Sequence, residues 1–570
     1  MFSTKLTRPP RPGQNPPSDS MPHEPKETRG RLAAPAAVVL LVWAAACVIY
    51  FIAMRRTGGR WVYALDDPYI HMGMAKNLVE HGVWGLTRYQ FSSSSSSPLW
   101  TCVLALIYWV QGAGDYAALW LNLLCVPLLV FVADVAWRRS LPDARRRFAW
   151  LLGLALFAPV LTLVFSGMEH LFHAALTIAF ATLLLEELSS PRPAWKRSLI
   201  LIGLSAILPQ VRYEALFLLF IGGLVLLWHR RFALVFGMAL AAALPLAVYG
   251  AISMAHGWYP LPNSVLMRGA LPRVRDLEDL LLLLGGRCLI QLFLAPHLLV
   301  LALAVGYRML SPPERPGAGL AVPVLRKIQL VFLATLLLHI QFAGVGWFYR
   351  YEAYLVAFGI WVLGISMSLP GAEGARAGGR GLPERVPRFM IAAAVLVPLS
   401  YRGVESLAHL PQAMKNIHEQ QWQMSEFLRT YYRGAAVAAN DIGLVCYRAD
   451  VRILDLHGLA DMEVARLRRA RRYDREAIRR LARERGVEAA VLFPEWFERA
   501  IPPEWSEAGR WLLAGNVVCG GEWVAFYAAR PEGLARLVAA LREFASRLPK
   551  DVRCTIADAP GTAERGAGAR

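Results

Sequence analysis

LDDPYIHMGMAKNLVEHG, residues 65–82, follows closely on the apolar run APAAVVLLVWAAACVIYFIAM at 34–54. Two adjacent carboxylates, Asp66 and Asp67, therefore stand just beyond the point where the chain leaves a hydrophobic segment. Carboxylates are costly to desolvate, so a pair at a membrane surface reads as a functional site. The run 34–54 is long and lacks a small-residue cleavage site, which makes it a retained membrane span rather than a signal peptide.

The rest of the chain supports that setting. Of its 570 residues, 56% are hydrophobic and only 18% charged, where a soluble protein carries about 25% charged residues. Mean hydropathy is +0.38, and apolar runs long enough to span a bilayer recur through the first two thirds. The net charge of +19 is scattered over loops, which fits anionic lipid and the positive-inside bias better than nucleic acid. No Walker, dinucleotide or zinc spacing is found. Of the seven cysteines, Cys47, Cys102, Cys125 and Cys288 lie in or beside spans as small packing residues. Cys446, Cys519 and Cys554 lie in the C-terminal third, where export would permit one disulfide and leave one thiol over.

Hydropathy and loop charge together predict about eleven spans. Residues 1–33 form a proline-rich basic tail read as disordered and cytoplasmic. Span 1 exits, and the basic loop RRSLPDARRR (138–147) must return inside. Span 2 is then 116–137, and the short stretch 98–112 reads as a partly embedded or re-entrant helix. Spans 3 to 11 follow at about 148–165, 170–186, 198–209, 214–228, 232–252, 288–307, 327–345, 353–369 and 389–401. A Gly/Arg-rich loop fills 370–388. The expected organisation is a membrane domain over 34–401, with a first outer loop at 55–115, and a soluble extracytoplasmic domain over 402–570. Short apolar runs alternating with helical patterns make that domain a small α/β unit. The location implied is a membrane, with residues 402–570 on its periplasmic or extracellular side.

With this topology every unusual polar cluster falls on the outer side. The first outer loop holds Asp66, Asp67, Tyr69, His71, Lys76 and Asn77, then FSSSSSSPLW (91–100). Later outer turns are SGMEH (166–170) with Glu169, QVRYE (210–214) with Arg212, WYPLPNSVLMRG (258–269) with Asn263, and GWFYRYE (346–352) with Tyr349 and Arg350. Carboxylates and arginines gathered at an outer surface suit a lipid-linked phosphate. The arginines would fork phosphate oxygens, and a carboxylate would act as general base on an acceptor hydroxyl.

These motifs, in this order, with a late NDIGLVCYRADVRILDLHGLAD (440–461), resemble the GT-C superfamily of integral-membrane glycosyltransferases over roughly residues 60–465. The resemblance is closest to the bacterial branch that includes the mycobacterial terminal arabinofuranosyltransferases. The chain is more distantly similar to protein O-mannosyltransferases and the aminoarabinose transferase of lipid A. The resemblance implies a polyprenyl-phosphate sugar donor, an envelope glycan, lipid or protein acceptor on the outer face, and inversion at the anomeric carbon. Asp66 or Asp67 matches the catalytic base, Glu169 the second carboxylate, Arg212 and Arg350 the donor-phosphate residues, and Asn263 a P-N-T/S motif. Tyr69, His71, Tyr349, Asp455 and His457 complete the expected substrate contacts. A divalent cation (Mg, Mn or Ca) on Asp67 and Glu169 is left open. The serine run 92–97 and His170 depart from the family pattern.

Plainer readings stand beside these. Asp67 could cap the helix that Pro68 begins, Arg212 could pair locally with Glu214, and Arg350 could snorkel. His297 and His339 read as satisfied core histidines, and 463–486 as a solvated amphipathic helix. The rival function is a transporter or flippase of a lipid-linked glycan, which predicts matching halves and polar residues at mid-span.

Overall fold

The computed structural model describes residues 26–268, 285–311, 321–367 and 385–558. Residues 1–25 of the basic tail, and 370–384 of the Gly/Arg-rich loop, lie outside the described residues. The chain is an α-helical polytopic protein with a small C-terminal α/β domain. Five of its described helices are long and apolar enough to cross a membrane, or seven if two bent pairs each count as one.

The helices follow the apolar runs, and the bends fall where the sequence breaks them. Helix α1 (Lys26–Arg56) leads to α2 (Pro68–His81) and α3 (Pro98–Gln111). The 14-residue α3 starts on Pro98, with Ser97 accepting from the Trp100 N–H, and ends at Gly112. Helix α4 (Ala117–Arg138) is followed by α5 (Ala144–Phe157) and α6 (Val160–Ser166), a pair bent by 44° across Ala158 and Pro159. Next come α7 (His170–Ser189), α8 (Trp195–Val211), α9 (Ala215–Trp228), α10 (Phe232–Ala255) and the short α11 (Asn263–Arg268). The predicted span 288–307 is two helices, α12 (Arg287–Leu294) and α13 (Pro296–Leu310), meeting at 101°. Pro296 supplies no N–H to continue the preceding turn.

Helices α14 (Val322–Phe342) and α15 (Ala353–Met367) complete the packed bundle. Helix α16 (Arg385–Ile417) then runs without interruption through a π turn, His418–Trp422, into α17 (Gln423–Tyr431). The predicted span 389–401 is thus part of a 33-residue helix that enters the C-terminal domain directly.

Two buried carboxylates mark one end of the bundle. Asp134 binds Arg138 and Arg147 at 2.8 and 3.0 Å, and Glu187 binds Arg197 and Arg231 at 2.7 and 3.3 Å. Glu169 precedes α7 and Glu187 lies near its far end, about 27 Å away at 1.5 Å per residue. The basic loops therefore gather at the end opposite Glu169.

In the C-terminal domain, β1 (Ala436–Ala439), β2 (Arg452–Asp455), β3 (Ala489–Leu492), β4 (Ser506–Leu512), β5 (Trp523–Ala528) and β6 (Arg553–Ile556) form a sheet ordered β2-β1-β3-β5-β4-β6. The first three are parallel and the rest antiparallel. Helix α18 (Gly443–Arg448) follows β1 and carries Leu444 and Tyr447 into the core of the membrane bundle. That contact seats the domain over the end of the bundle where Glu169 lies.

Candidate active site

Three helix N-termini converge under the domain. Asp67, Glu169 and Glu214 occupy the N-cap positions of α2, α7 and α9, yet none makes a side-chain capping bond. A helix N-terminus favours an anion without requiring that bond, and each of these carboxylates turns to a guanidinium instead. The expected capping by Asp67 is therefore corrected. The first turn of α2 is closed by backbone bonds from Tyr69 and Ile70 to the carbonyls of Asp66 and Asp67, and the Asp67 carboxylate pairs with Arg350.

Arg212 sits between two acids. Its Nε donates to Glu214 Oε2 at 3.0 Å, a second nitrogen pairs with Glu214 Oε1, and a third reaches Glu169 Oε1 at 3.0 Å. Glu169 is fully buried, and its Oε2 lies 3.8 Å from His71 Nε2. The His71 Nδ1 meets Thr101 Oγ1 at 3.0 Å and Ser95 Oγ at 3.2 Å. Burial holds the His71 imidazole below its ordinary range, with Glu169 partly opposing. The Tyr351 ring centroid is 4.9 Å from the Arg350 guanidinium and 5.9 Å from that of Arg212, so one aromatic ring meets both cations.

Arg350 is presented by a constrained turn. Trp347, Phe348 and Tyr349 all have positive φ, at 42°, 59° and 63°, conformations that cost about 1–3 kcal/mol each in a non-glycine residue. Arg402 pins the turn by donating to the Tyr349 carbonyl and to Glu352 Oε1, the latter at 2.9 Å. The Tyr349 hydroxyl donates to Glu405 at 2.6 Å.

Asp66 has a different partner. Its carboxylate accepts the backbone N–H groups of Gly443 and Leu444 at 2.7 and 2.8 Å. A side chain at residue 443 would stand 2.2 Å from the Asp66 carbonyl oxygen, so only glycine permits this approach. Burial pushes the Asp66 carboxyl well above its usual range, Asp441 adds repulsion, and the two N–H bonds oppose them.

A cavity of about 730 Å³ opens at this seam, within the size range of small-ligand sites. Asp66, Asp67, Arg212 and Glu214 line its polar centre, Phe217, Leu266 and Phe342 an apolar flank, and Asn440, Asp441, His457 and Trp496 the domain side.

The predicted residues divide accordingly. Asp66, Asp67, Arg212 and His457 reach the cavity, while Glu169, Arg350 and His71 act on it through the contacts above. Asn263 is buried and bridges the two parts, its N–H donating to Ser93 O at 2.8 Å and its amide to Gly458 O at 2.9 Å. Tyr69 and Tyr349 are not among the lining residues. Tyr69 is buried in the core, its hydroxyl accepting from Tyr63 N at 3.0 Å. Asp455 shapes its own loop by accepting from the N–H groups of His457 and Ala460 at 2.8 and 2.7 Å, and burial raises its pKa to about 6.

His339 is satisfied by Tyr354 and Gly344, as a core histidine should be. His297 lies 3.3 Å from Glu352. All seven cysteines are free thiols. Among the described residues no group of three or more His, Cys, Asp or Glu side chains is placed to hold a metal. Asp67 faces Arg350 and Glu169 faces Arg212.

Tyr351 and Trp496 join the site beyond the residues expected from sequence, and Glu352 lies in the expected outer motif GWFYRYE. One signal points to Tyr351: RYEA occurs at 212–215 and again at 350–353, and both copies feed the arginine cluster.

Several solved structures are similar to this chain. The chain is similar to ArnT from Cupriavidus metallidurans. That structure, bound to undecaprenyl phosphate, is 13% identical, covers 87% of this chain and 98% of its own, and has a TM-score of 0.49. The Archaeoglobus fulgidus oligosaccharyltransferase tethered with an acceptor peptide is 10% identical over 90% of this chain and 75% of its own, at 0.40. The arabinofuranosyltransferase AftD from Mycobacteria is 15% identical over 86% of this chain and 41% of its own, also at 0.40. Residues 415–527 match a family described as Domain of unknown function (DUF8728). No curated protein sequence matches the chain.

Proposed function

We propose that this protein is an inverting glycosyltransferase that moves a sugar from a polyprenyl-phosphate donor to an acceptor hydroxyl at the outer face of a bacterial inner membrane. One observation carries the reading: Asp66, Asp67, Arg212 and Glu214 line a cavity with an apolar flank of Phe217, Leu266 and Phe342, while Arg350 and Glu169 pair with Asp67 and Arg212 at its edge. An isoprenoid chain suits the apolar flank, and a phosphate suits Arg212 and Arg350.

Asp67 is the better candidate for general base. Both oxygens of Asp66 are taken by backbone N–H groups of the C-terminal domain, which makes Asp66 the residue that seats the lid. Asp67 pairs with Arg350, on the side where the phosphate would bind. A donor phosphate competes for Arg350 and leaves the Asp67 carboxylate to take the acceptor proton.

In the reaction the acceptor oxygen bonds to C1 as the bond from C1 to the phosphate oxygen breaks. The proton passes to Asp67, and polyprenyl phosphate departs with the electron pair. A single displacement from the face opposite the phosphate inverts C1. Arg212 and Arg350 offset the charge growing on the leaving oxygen.

The test is release of polyprenyl phosphate from a labelled polyprenyl-phosphate sugar by purified protein. Asp67→Asn should lower turnover by about 10²-fold or more. Unchanged turnover would remove Asp67 from this role.

A further inference from the structure

The two walls of the cavity differ in chemistry. Arg212 stands on the membrane side, whereas among the described residues the wall contributed by 417–520 has no lysine or arginine. Its polar and aromatic groups are amide, carboxylate, imidazole and indole, set among apolar side chains such as Ile442 and Leu459. Trp496 is 42% exposed although it lines a cavity. A side chain at Gly520 would stand 2.6 Å from the indole, and the Phe493 ring lies 5.5 Å away, so the ring is braced from behind. His457 is 6.2 Å from it.

Asn440 is 5% exposed. Its Oδ1 accepts from Phe493 N at 3.1 Å, which fixes the amide, while its Nδ2 is buried with no hydrogen-bond partner among the described residues. A buried donor left unmatched is costly, so its place in a cavity wall points to a ligand acceptor. Asp441 accepts from Gln421 Nε2 at 2.7 Å, which orients its carboxylate beside Asn440.

We infer that the acceptor is a neutral carbohydrate, held by Trp496 as a stacking platform and by Asn440, Asp441 and His457 as hydroxyl partners. A sugar ring has an apolar C–H face that packs on an aromatic ring and a rim of hydroxyls that both donate and accept. A phosphate-rich or otherwise polyanionic acceptor would meet Asp441 and no cation on this wall. A lipid acceptor would leave the amide and carboxylate unmatched. The inference rests on the glycosyl-transfer reading and names its acceptor class.

The test uses detergent-solubilised full-length protein on a printed array of neutral oligosaccharides, acidic oligosaccharides and short peptides, with polyprenyl-phosphate binding measured separately. Wild type should bind neutral glycans. Trp496→Ala and Asn440→Ala should weaken that binding at least tenfold, and Trp496→Phe should restore part of it. Retained polyprenyl-phosphate binding reports that each variant is folded. Preference for peptides or acidic glycans, no glycan binding by wild type that still binds polyprenyl phosphate, or equal glycan binding in folded Trp496→Ala would overturn the inference. Failure of polyprenyl-phosphate binding with glycan binding intact would instead overturn the donor reading alone.

Discussion

Asp66→Asn isolates the contact that seats the C-terminal domain on the membrane bundle. The wild-type carboxylate accepts two backbone N–H groups, from Gly443 and Leu444, and a hydrogen bond to a charged group contributes about 1.5–3 kcal/mol. Asparagine keeps one neutral acceptor and turns an NH₂ toward the second N–H, so about 3 kcal/mol of docking should go. At 1.4 kcal/mol per tenfold, that shifts the opening equilibrium of this seam by about 100-fold. Gly443→Ala should reach the same state from the other side, because its Cβ would stand 2.2 Å from the Asp66 carbonyl oxygen and 2.7 Å from Oδ2. Hydrogen–deuterium exchange reads the outcome by segment. Amides at 443–448 should exchange faster in both variants, while the strands at 436–439, 489–492 and 523–528 stay protected. Unchanged protection at 443–448 would refute the assignment of Asp66 as the seat of the domain.

Three further outcomes follow from the geometry. Arg212→Lys replaces a planar fork by a point charge that cannot satisfy Glu169 and Glu214 together; a buried carboxylate left unpaired costs about 3–5 kcal/mol, so thermal melting should fall along with turnover. Asp455 has its pKa raised from 3.8 to about 6, worth about 3 kcal/mol. Since the folded state holds the proton more tightly, that stability is present below about pH 4 and lost as pH rises through 6. Denaturant melts of the C-terminal domain should show this slope in wild type and lose it in Asp455→Asn. Asn263→Ala removes the bond to Gly458 O and should cost about 1 kcal/mol, read as faster exchange at 456–460 with the membrane helices unaffected.

Much of the site was legible because an isolated acid or arginine between apolar runs has few other reasons to be there. Asp67, Glu169, Arg212 and Arg350 stand out on those grounds, and the structure brings them together. Tyr69 and Tyr349 looked similar in sequence, but a tyrosine serves a core as readily as a site, and here each hydroxyl is spent on the protein itself. The role of Asp66 was hidden because its partners lie 377 and 378 residues away, beyond any local periodicity. The same holds for Trp496, whose place depends on the sheet and on Gly520. Hydropathy located the bundle but not its breaks: it saw one span at 288–307, where Pro296 divides two helices, and ended another at 401, where the helix continues to 417.

The most direct measurement is a cryo-electron microscopy structure of the full chain with polyprenyl phosphate bound. The phosphate should lie within hydrogen-bonding distance of both Arg212 and Arg350, with Asp67 turned away from Arg350 toward the cavity. Phosphate density remote from both arginines, with the Asp67–Arg350 pair still closed, would contradict the account.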